Sequence, residues 1–212
     1  MNRSTINWGI GQLWTWNPIS GCRRGCPYCY ARGIHDHYVK PKTGENFSEI
    51  IFHADRLSDP DLEKSSRIIF LGSVSDPEYY PALRFQQIIY QCQIHKQHTF
   101  MFLSKNPASY RNFVFPDNCV LGLTITKLEN IATFQQVEEI AEHERVFLSI
   151  EPLLGMIDTP LPDTLERVIC GAMSGPGAIV PKAEWVESVK RNAPEGKLFF
   201  KPHKKLGNDW WK

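Results

Sequence analysis

Arg67-Ile68-Ile69-Phe70-Leu71-Gly72 is an unbroken apolar run closed by a glycine. A strand wetted on one face alternates polar and apolar residues. A run without alternation predicts a strand covered on both faces, as parallel sheets require. Just downstream, Leu83, Phe85, Ile88, Ile89 and Cys92 fall at helical spacing. The same two-part unit then repeats. Thr99-Phe100-Met101-Phe102-Leu103, Cys119-Val120-Leu121-Gly122-Leu123-Thr124, Arg145-Val146-Phe147-Leu148-Ser149-Ile150, Arg167-Val168-Ile169-Cys170-Gly171 and Lys197-Leu198-Phe199-Phe200 read as further strands. Leu128, Ile131, Phe134, Val137, Ile140 and Ala141 form one amphipathic helical face, and Trp185, Val186 and Val189 mark a last helix. Residues 107–116 read as loop with one helical turn near 108–111. Upstream, Leu13-Trp14-Thr15-Trp16-Asn17 is an aromatic, β-prone run ended by Pro18 and Gly21. Six or seven strands alternating with helices predict an α/β chain of parallel β/α units, a partial (β/α)6 barrel rather than a closed eight-stranded one. An open doubly wound sheet is the competing arrangement. Its first unit would carry a phosphate loop, and the chain has neither G-x-G-x-x-G nor a P-loop.

The strand at 13–17 delivers the chain to Cys22-Arg23-Arg24-Gly25-Cys26-Pro27-Tyr28-Cys29. Three thiolates at C-x3-C-x2-C spacing can hold three irons of a [4Fe–4S] cluster. The fourth iron then lacks a local cysteine and stays open to a small molecule, as catalytic metal sites keep one position free. A helix predicted from 28 to 38 would end the loop on amide donors that suit a negatively charged cluster. The same residues also admit a structural zinc site, with His35 or His37 as fourth ligand, or unliganded thiols. Cys92, Cys119 and Cys170 stand singly in apolar runs and read as core residues. A disulfide framework across six cysteines would suit a smaller, secreted domain.

The 212 residues suffice for one substantial core, so 1–212 reads as one domain. A hydrophobic content of 42% and a charged content of 22% are those of an ordinary globular chain. The net charge of +1 excludes a global basic field and leaves room for a local one. No apolar run is long enough to cross a bilayer. The start, Met1-Asn2-Arg3-Ser4-Thr5-Ile6-Asn7-Trp8, lacks the apolar centre of a secretory signal, so a cytoplasmic protein is expected. Residues 40–61 and 202–212 read as surface segments able to move.

In β/α barrels the active site lies where the strands end. Those ends carry a polar series: Ser73, Ser75 and Asp76; Ser104, Lys105 and Asn106; Thr124, Thr126 and Lys127; Ser149 and Glu151; Met173, Ser174 and Gly175; Lys201 and His203. Polar groups collect at strand ends for solvent alone, so the recurrence along the edge carries more weight than any single member.

With an aromatic residue just before its last cysteine, the loop resembles the signature of the radical S-adenosylmethionine (SAM) enzymes. The wider likeness is to a phage- and prophage-associated radical-SAM-like family. It rests on Trp16-Asn17-Pro18-Ile19-Ser20-Gly21-Cys22, Cys29-Tyr30-Ala31, Ser149-Ile150-Glu151-Pro152-Leu153-Leu154-Gly155, Gly171-Ala172-Met173-Ser174-Gly175-Pro176-Gly177 and Leu198-Phe199-Phe200-Lys201. The resemblance implies a cluster on Cys22, Cys26 and Cys29 and places Tyr28 beside the adenine of SAM. The amine and carboxylate of SAM would chelate the open iron, with Ser73, Ser75 or Asp76 accepting from the amine. Ser104 and Thr124 would continue the binding edge. Glu151 would meet the ribose hydroxyls or the sulfonium, while Gly171, Ser174 and Gly175 lie by the adenine. Lys201 would face a phosphate or carboxylate of the substrate. The chemistry implied is one-electron cleavage of SAM to a 5′-deoxyadenosyl radical that abstracts hydrogen, fed by a reductant such as flavodoxin or ferredoxin.

Two departures stand out. Ser73-Val74-Ser75-Asp76 replaces the Gly-Gly-Glu run common in the superfamily, and Met173 replaces a glutamate usual in the phage-associated family. No substrate is implied. The length leaves no lid domain to shield a radical, which favours a large substrate, nucleic acid or protein, that itself closes the open side. Arg23, Arg24, Lys204, Lys205, Trp210 and Trp211 would serve a nucleic acid. The alternative class is a non-catalytic iron–sulfur or zinc protein that binds nucleic acid.

Overall fold

A computed structural model describes residues 1–128, 131–143, 145–175 and 177–212. Pro176, in the motif at 171–177, lies outside the described residues. The chain divides into two compact units.

The first unit comprises Met1–Ile6, Gln12–Ser104 and Ala108–Val120. It opens with β1 (Asn2–Arg3), β2 (Leu13–Trp16) and β3 (Ile19–Ser20). After the cysteine loop come α1 (Tyr30–Ile34), a π-helical stretch His35–Val39 and α2 (Lys40–Thr43). Then follow β4 (Ile51–Phe52), β5 (Ile68–Leu71), α3 (Ala82–Ile94) and β6 (Thr99–Ser104). Strands β2, β5 and β6 lie parallel in that order, with β1 antiparallel on the edge of β2. Strands β3 and β4 form a separate antiparallel pair.

The second unit comprises Asn7–Gly11, Lys105–Pro107 and Leu121–Lys212. It carries most of β7 (Cys119–Ile125), then α4 (Ile131–Ala141), β8 (Val146–Ile150), β9 (Arg167–Cys170), α5 (Ala183–Asn192) and β10 (Leu198–Phe200). Strands β7, β8, β9 and β10 run parallel in that order. The chain is therefore mixed α/β with an eight-stranded, mostly parallel sheet, and no strand pairing among the described residues closes it into a barrel.

The apolar runs explain the strands. All five residues of β8 are buried, as the absence of alternation requires. In α3, Phe85, Ile88, Ile89 and Cys92 make the buried stripe. Leu83 does not join it: it is 82% exposed, because two residues back from Phe85 is the far side of a helix. Phe85 sits among Tyr80, Phe102 and Phe113, with ring centroids 5.3, 5.9 and 4.6 Å away. In α4, Val137 and Ile140 are buried, but Ile131 is exposed and Leu128 precedes the helix, bridged to Ile157.

The seven expected strands are present in the main sheet, where β1 is an eighth that two exposed residues gave no pattern to reveal; the short β3–β4 pair was also unexpected. The helix expected over 28–38 starts at Tyr30 and stays α-helical for only five residues. The surface segment expected from residue 40 begins as α2, which Gly44, with φ of 75°, stops.

Phe85→Ala should lower the unfolding free energy in urea by about 3–5 kcal/mol. Leu83→Ala, on the wetted side of the same helix, should change it by less than about 0.5 kcal/mol.

Candidate metal centre and strand-edge clusters

The cysteine loop is fixed at its first residue. Gly21 has φ 92°, and a Cβ there would lie 1.9 Å from the carbonyl oxygen of Glu49. Only glycine admits that approach. The Gly21 N–H donates to the Val74 carbonyl at 3.2 Å, and the Cys22 N–H to the Phe47 carbonyl at 2.8 Å. The buried Phe47 ring also carries the Arg32 guanidinium, 5.2 Å from its centroid, and the His35 ring at 5.4 Å. Further supports come from the same stretch. His53 Nε2 and Ser20 Oγ are 2.7 Å apart, the His53 N–H donates to the Pro18 carbonyl at 2.8 Å, and Trp16 Nε1 donates to the Arg56 carbonyl at 2.7 Å. Residues 45–56, expected as part of a movable segment, are thus the buttress of the loop.

The three thiols are free and half-buried. The Cys29 side chain caps α1, with Sγ accepting the Arg32 N–H at 3.4 Å. Cys22 accepts from the Arg24 backbone amide. Burial pushes the Cys22 thiol up, helped by Asp76, Cys29 and Cys26, while the Arg24 amide opposes the shift. Tyr28 is hydrogen-bonded to Cys26, and burial together with that neighbour pushes its phenol up to about 12. Among the described residues, no three His, Cys, Asp or Glu side chains are already drawn into a coordination shell. His35 rests on Phe47 and His37 against Tyr38, so both imidazoles suggested as a fourth zinc ligand have other contacts.

Beside the loop, the ends of β5 and β6 gather one polar cluster. Asp76, 6% exposed, accepts Ser104 Oγ at 2.6 Å and the Glu78 N–H at 3.0 Å. Arg24 pairs with Glu78 and approaches Asp76 Oδ2 at 3.9 Å. Arg24, expected among the residues that would serve a nucleic acid, is thus paired with two carboxylates. Ser75 Oγ and the Tyr80 hydroxyl lie 2.6 Å apart. Ser73 Oγ donates to Asn17 Oδ1 at 3.1 Å, and the Tyr30 hydroxyl donates to the Ser73 carbonyl. Having spent its proton on Asn17, the Ser73 hydroxyl keeps lone pairs that can accept from an amine.

The second unit gathers a different cluster. Lys201 Nζ pairs with Glu151, and the Lys201 N–H donates to the Cys170 carbonyl at 2.8 Å. A Cβ on Gly171 would lie 3.2 Å from the Glu151 carboxyl, so this glycine makes room for that side chain. Thr124 stands opposite Ser149 across β7 and β8. Ser149 Oγ is buried without a hydrogen-bond partner among the described residues. Ser174 is exposed. His203 Nδ1 accepts the Leu206 N–H at 3.1 Å, so Nε2, 3.1 Å from the Met173 carbonyl, is the nitrogen that donates.

The tail packs on β10. Trp210 Nε1 donates to the Lys201 carbonyl at 2.7 Å, and Trp211 stacks on Phe200 at 5.2 Å and 9°. Both indoles, expected as stacking platforms for a nucleic acid, pack within the unit. Cys92, Cys119 and Cys170 are buried in the core, with Cys92 and Cys119 hydrogen-bonded to each other. Sequence reasoning gave no structural role to Gly21, Phe47 or Arg24 in holding the loop. The glycine directly before the first cysteine was the available signal; the contacts of Phe47 and Arg24 are non-local and left none.

A family profile described as "Protein of unknown function (DUF5131)" matches residues 3–211, and the chain belongs to that family. No curated protein and no solved structure matches it.

Gly21→Ala should cost more than the roughly 1–3 kcal/mol of backbone strain alone, because the carbonyl of Glu49 must also move. Gly25, at φ 73° with open space where its Cβ would point, isolates that strain. Thermal unfolding of Gly25→Ala and Gly21→Ala side by side should show the larger loss in the latter.

Proposed function

We propose that this DUF5131 protein is a radical SAM enzyme whose [4Fe–4S] cluster is held by Cys22, Cys26 and Cys29. On this reading its β/α units belong to the incomplete barrel of that superfamily. The observation that carries the proposal is the loop itself: three free thiols within eight residues, two of them accepting backbone N–H groups from Arg24 and Arg32. Such donors favour anionic sulfur and are one of the levers a protein has on a cluster's potential. The donor set fits an iron–sulfur cluster with one iron lacking a protein ligand. When bound, the cluster supplies the electron that cleaves SAM and so the radical that takes hydrogen from substrate.

The chain's own residues then bind and orient. Ser73 has acceptor capacity for the SAM amine. Ser104 is tied to Asp76, which makes it a positioning group for the loop through Arg24, and Ser75 is tied to Tyr80. Glu151 and Lys201 neutralise each other in the second unit. A ligand that displaced either would leave the other to be satisfied, which makes the pair sensitive to what binds there. The assignment of Thr124, Glu151, Gly171 and Ser174 to SAM rests on the family resemblance and is tested by substitution on its own. Free thiols suit a reducing cytoplasm and a reductant of the flavodoxin or ferredoxin class.

Anaerobic reconstitution with iron and sulfide should give a brown protein whose iron is lost in Cys22→Ala, Cys26→Ala and Cys29→Ala but kept in Cys92→Ala and Cys170→Ala. Reduced, loaded protein given SAM should slowly release 5′-deoxyadenosine. Full iron content in Cys26→Ala, or a loaded cluster that produces no 5′-deoxyadenosine, would sink the reading.

A further inference from the structure

The cluster loop continues into a segment whose surface is unusual for a helix in a soluble unit. Tyr30, Ile34 and Tyr38 are spaced four residues apart, which brings them to one side of a helix. They are 53%, 49% and 61% exposed. Neither tyrosine ring is loose. The Tyr30 hydroxyl is anchored on the Ser73 carbonyl, and the Tyr38 ring is braced edge-on by His37 at 4.4 Å and 88°. A π-helical stretch, a form frequent at functional sites, carries Tyr38.

The charge of this segment departs from that of the chain. Residues 23–42 hold Arg23, Arg24, Arg32, Lys40 and Lys42 against a single carboxylate, Asp36, in a protein of net charge +1. Arg24 is taken up by Glu78 and Asp76, and Arg32 lies over Phe47. Arg23, Lys40 and Lys42 are exposed and make no ion pair among the described residues. Of the acidic residues that follow, Glu49 is hydrogen-bonded to Asn46 at 3.1 Å.

We propose that this surface, Tyr30, Ile34 and Tyr38 flanked by Arg23, Lys40 and Lys42, binds single-stranded nucleic acid. Oriented aromatic rings beside a basic track are what unpaired bases and their phosphates require. A duplex keeps its bases stacked on one another and offers the tyrosines nothing. The two indoles of the tail pack with Phe200. Tyr30 directly follows Cys29, so a strand lying along the surface is led to the cysteine loop. Delivery of a nucleotide as substrate rests on the radical SAM reading; the binding itself does not.

The test is fluorescence anisotropy with labelled oligothymidine DNA, oligouridine RNA and a DNA duplex, each of about 20 nucleotides per strand, between about 50 and 200 mM salt. Single strands should bind at least tenfold more tightly than the duplex. Tyr38→Ala should weaken oligothymidine binding roughly tenfold, in line with the loss of one stacked base. The pair Lys40→Glu and Lys42→Glu should reduce the slope of log affinity against log salt by about 1.4, the value for two phosphates on a single strand. Lys204→Glu with Lys205→Glu, an equal change of charge on the tail, should leave the slope unaltered. Iron content after reconstitution is read on the same variants and should match the wild type. Wild type that takes up no iron yet binds the oligomer would sink the cluster reading alone. No binding to any oligomer at low salt, preference for the duplex, undiminished affinity in Tyr38→Ala, or equal slope losses in the two lysine pairs would overturn the proposal. Failure to bind any nucleic acid would leave a protein partner as the occupant of the stripe.

Discussion

Everything proposed for the cysteine loop depends on a backbone-to-backbone contact at Gly21. The carbonyl of Glu49 occupies the place where a side chain would begin, and the φ of 92° turns the chain sharply out of β3. That turn sets where Cys22 starts and lets residues 45–56 wrap behind the loop. Phe47 then serves twice, its carbonyl holding the Cys22 amide and its ring supporting Arg32 and His35. Three thiols on a flexible loop would lose much chain entropy on taking up a metal or cluster. Here part of that ordering is already built in by folding.

Around this frame the two units carry charge in different ways. In the first, Asp76 is a buried carboxylate satisfied by a hydroxyl, an amide and a nearby guanidinium. A buried charge with such partners is tolerated, and removing one partner exposes the others to the full cost of desolvation. The cluster therefore reads as a brace on Arg24 and through it on the thiols. In the second unit, Glu151 and Lys201 form a simpler pair over Gly171, near a buried Ser149 hydroxyl that has no hydrogen-bond partner among the described residues. An unsatisfied buried hydroxyl is uncommon in folded proteins and marks a position where packing alone does not explain the residue.

The strands were legible because their signal is local. Ile68 to Leu71 and Val146 to Ile150 declare burial on both faces by lacking alternation, and no partner need be known. Helix type was less legible. Tyr30 to Val39 looks like one continuous helix, yet its register changes to π halfway. Leu83 and Ile131 match a helical period and still face solvent, because a period alone does not say where a stripe's edge lies. The three cysteines were legible from spacing. The side-chain partners of Asp76, Arg24 and Glu151 were not, since each lies tens of residues away in the chain. The packing of the tail tryptophans on Phe200 was illegible for the same reason.

The central claim is that one iron of a cluster on this loop has no protein ligand. Mössbauer spectroscopy of protein reconstituted with iron-57, recorded with and without SAM, tests it most directly. The account predicts a four-iron cluster in which one iron alone changes its isomer shift and quadrupole splitting when SAM is added. A spectrum that SAM leaves unchanged, or a loop that takes up zinc and refuses iron, would contradict it.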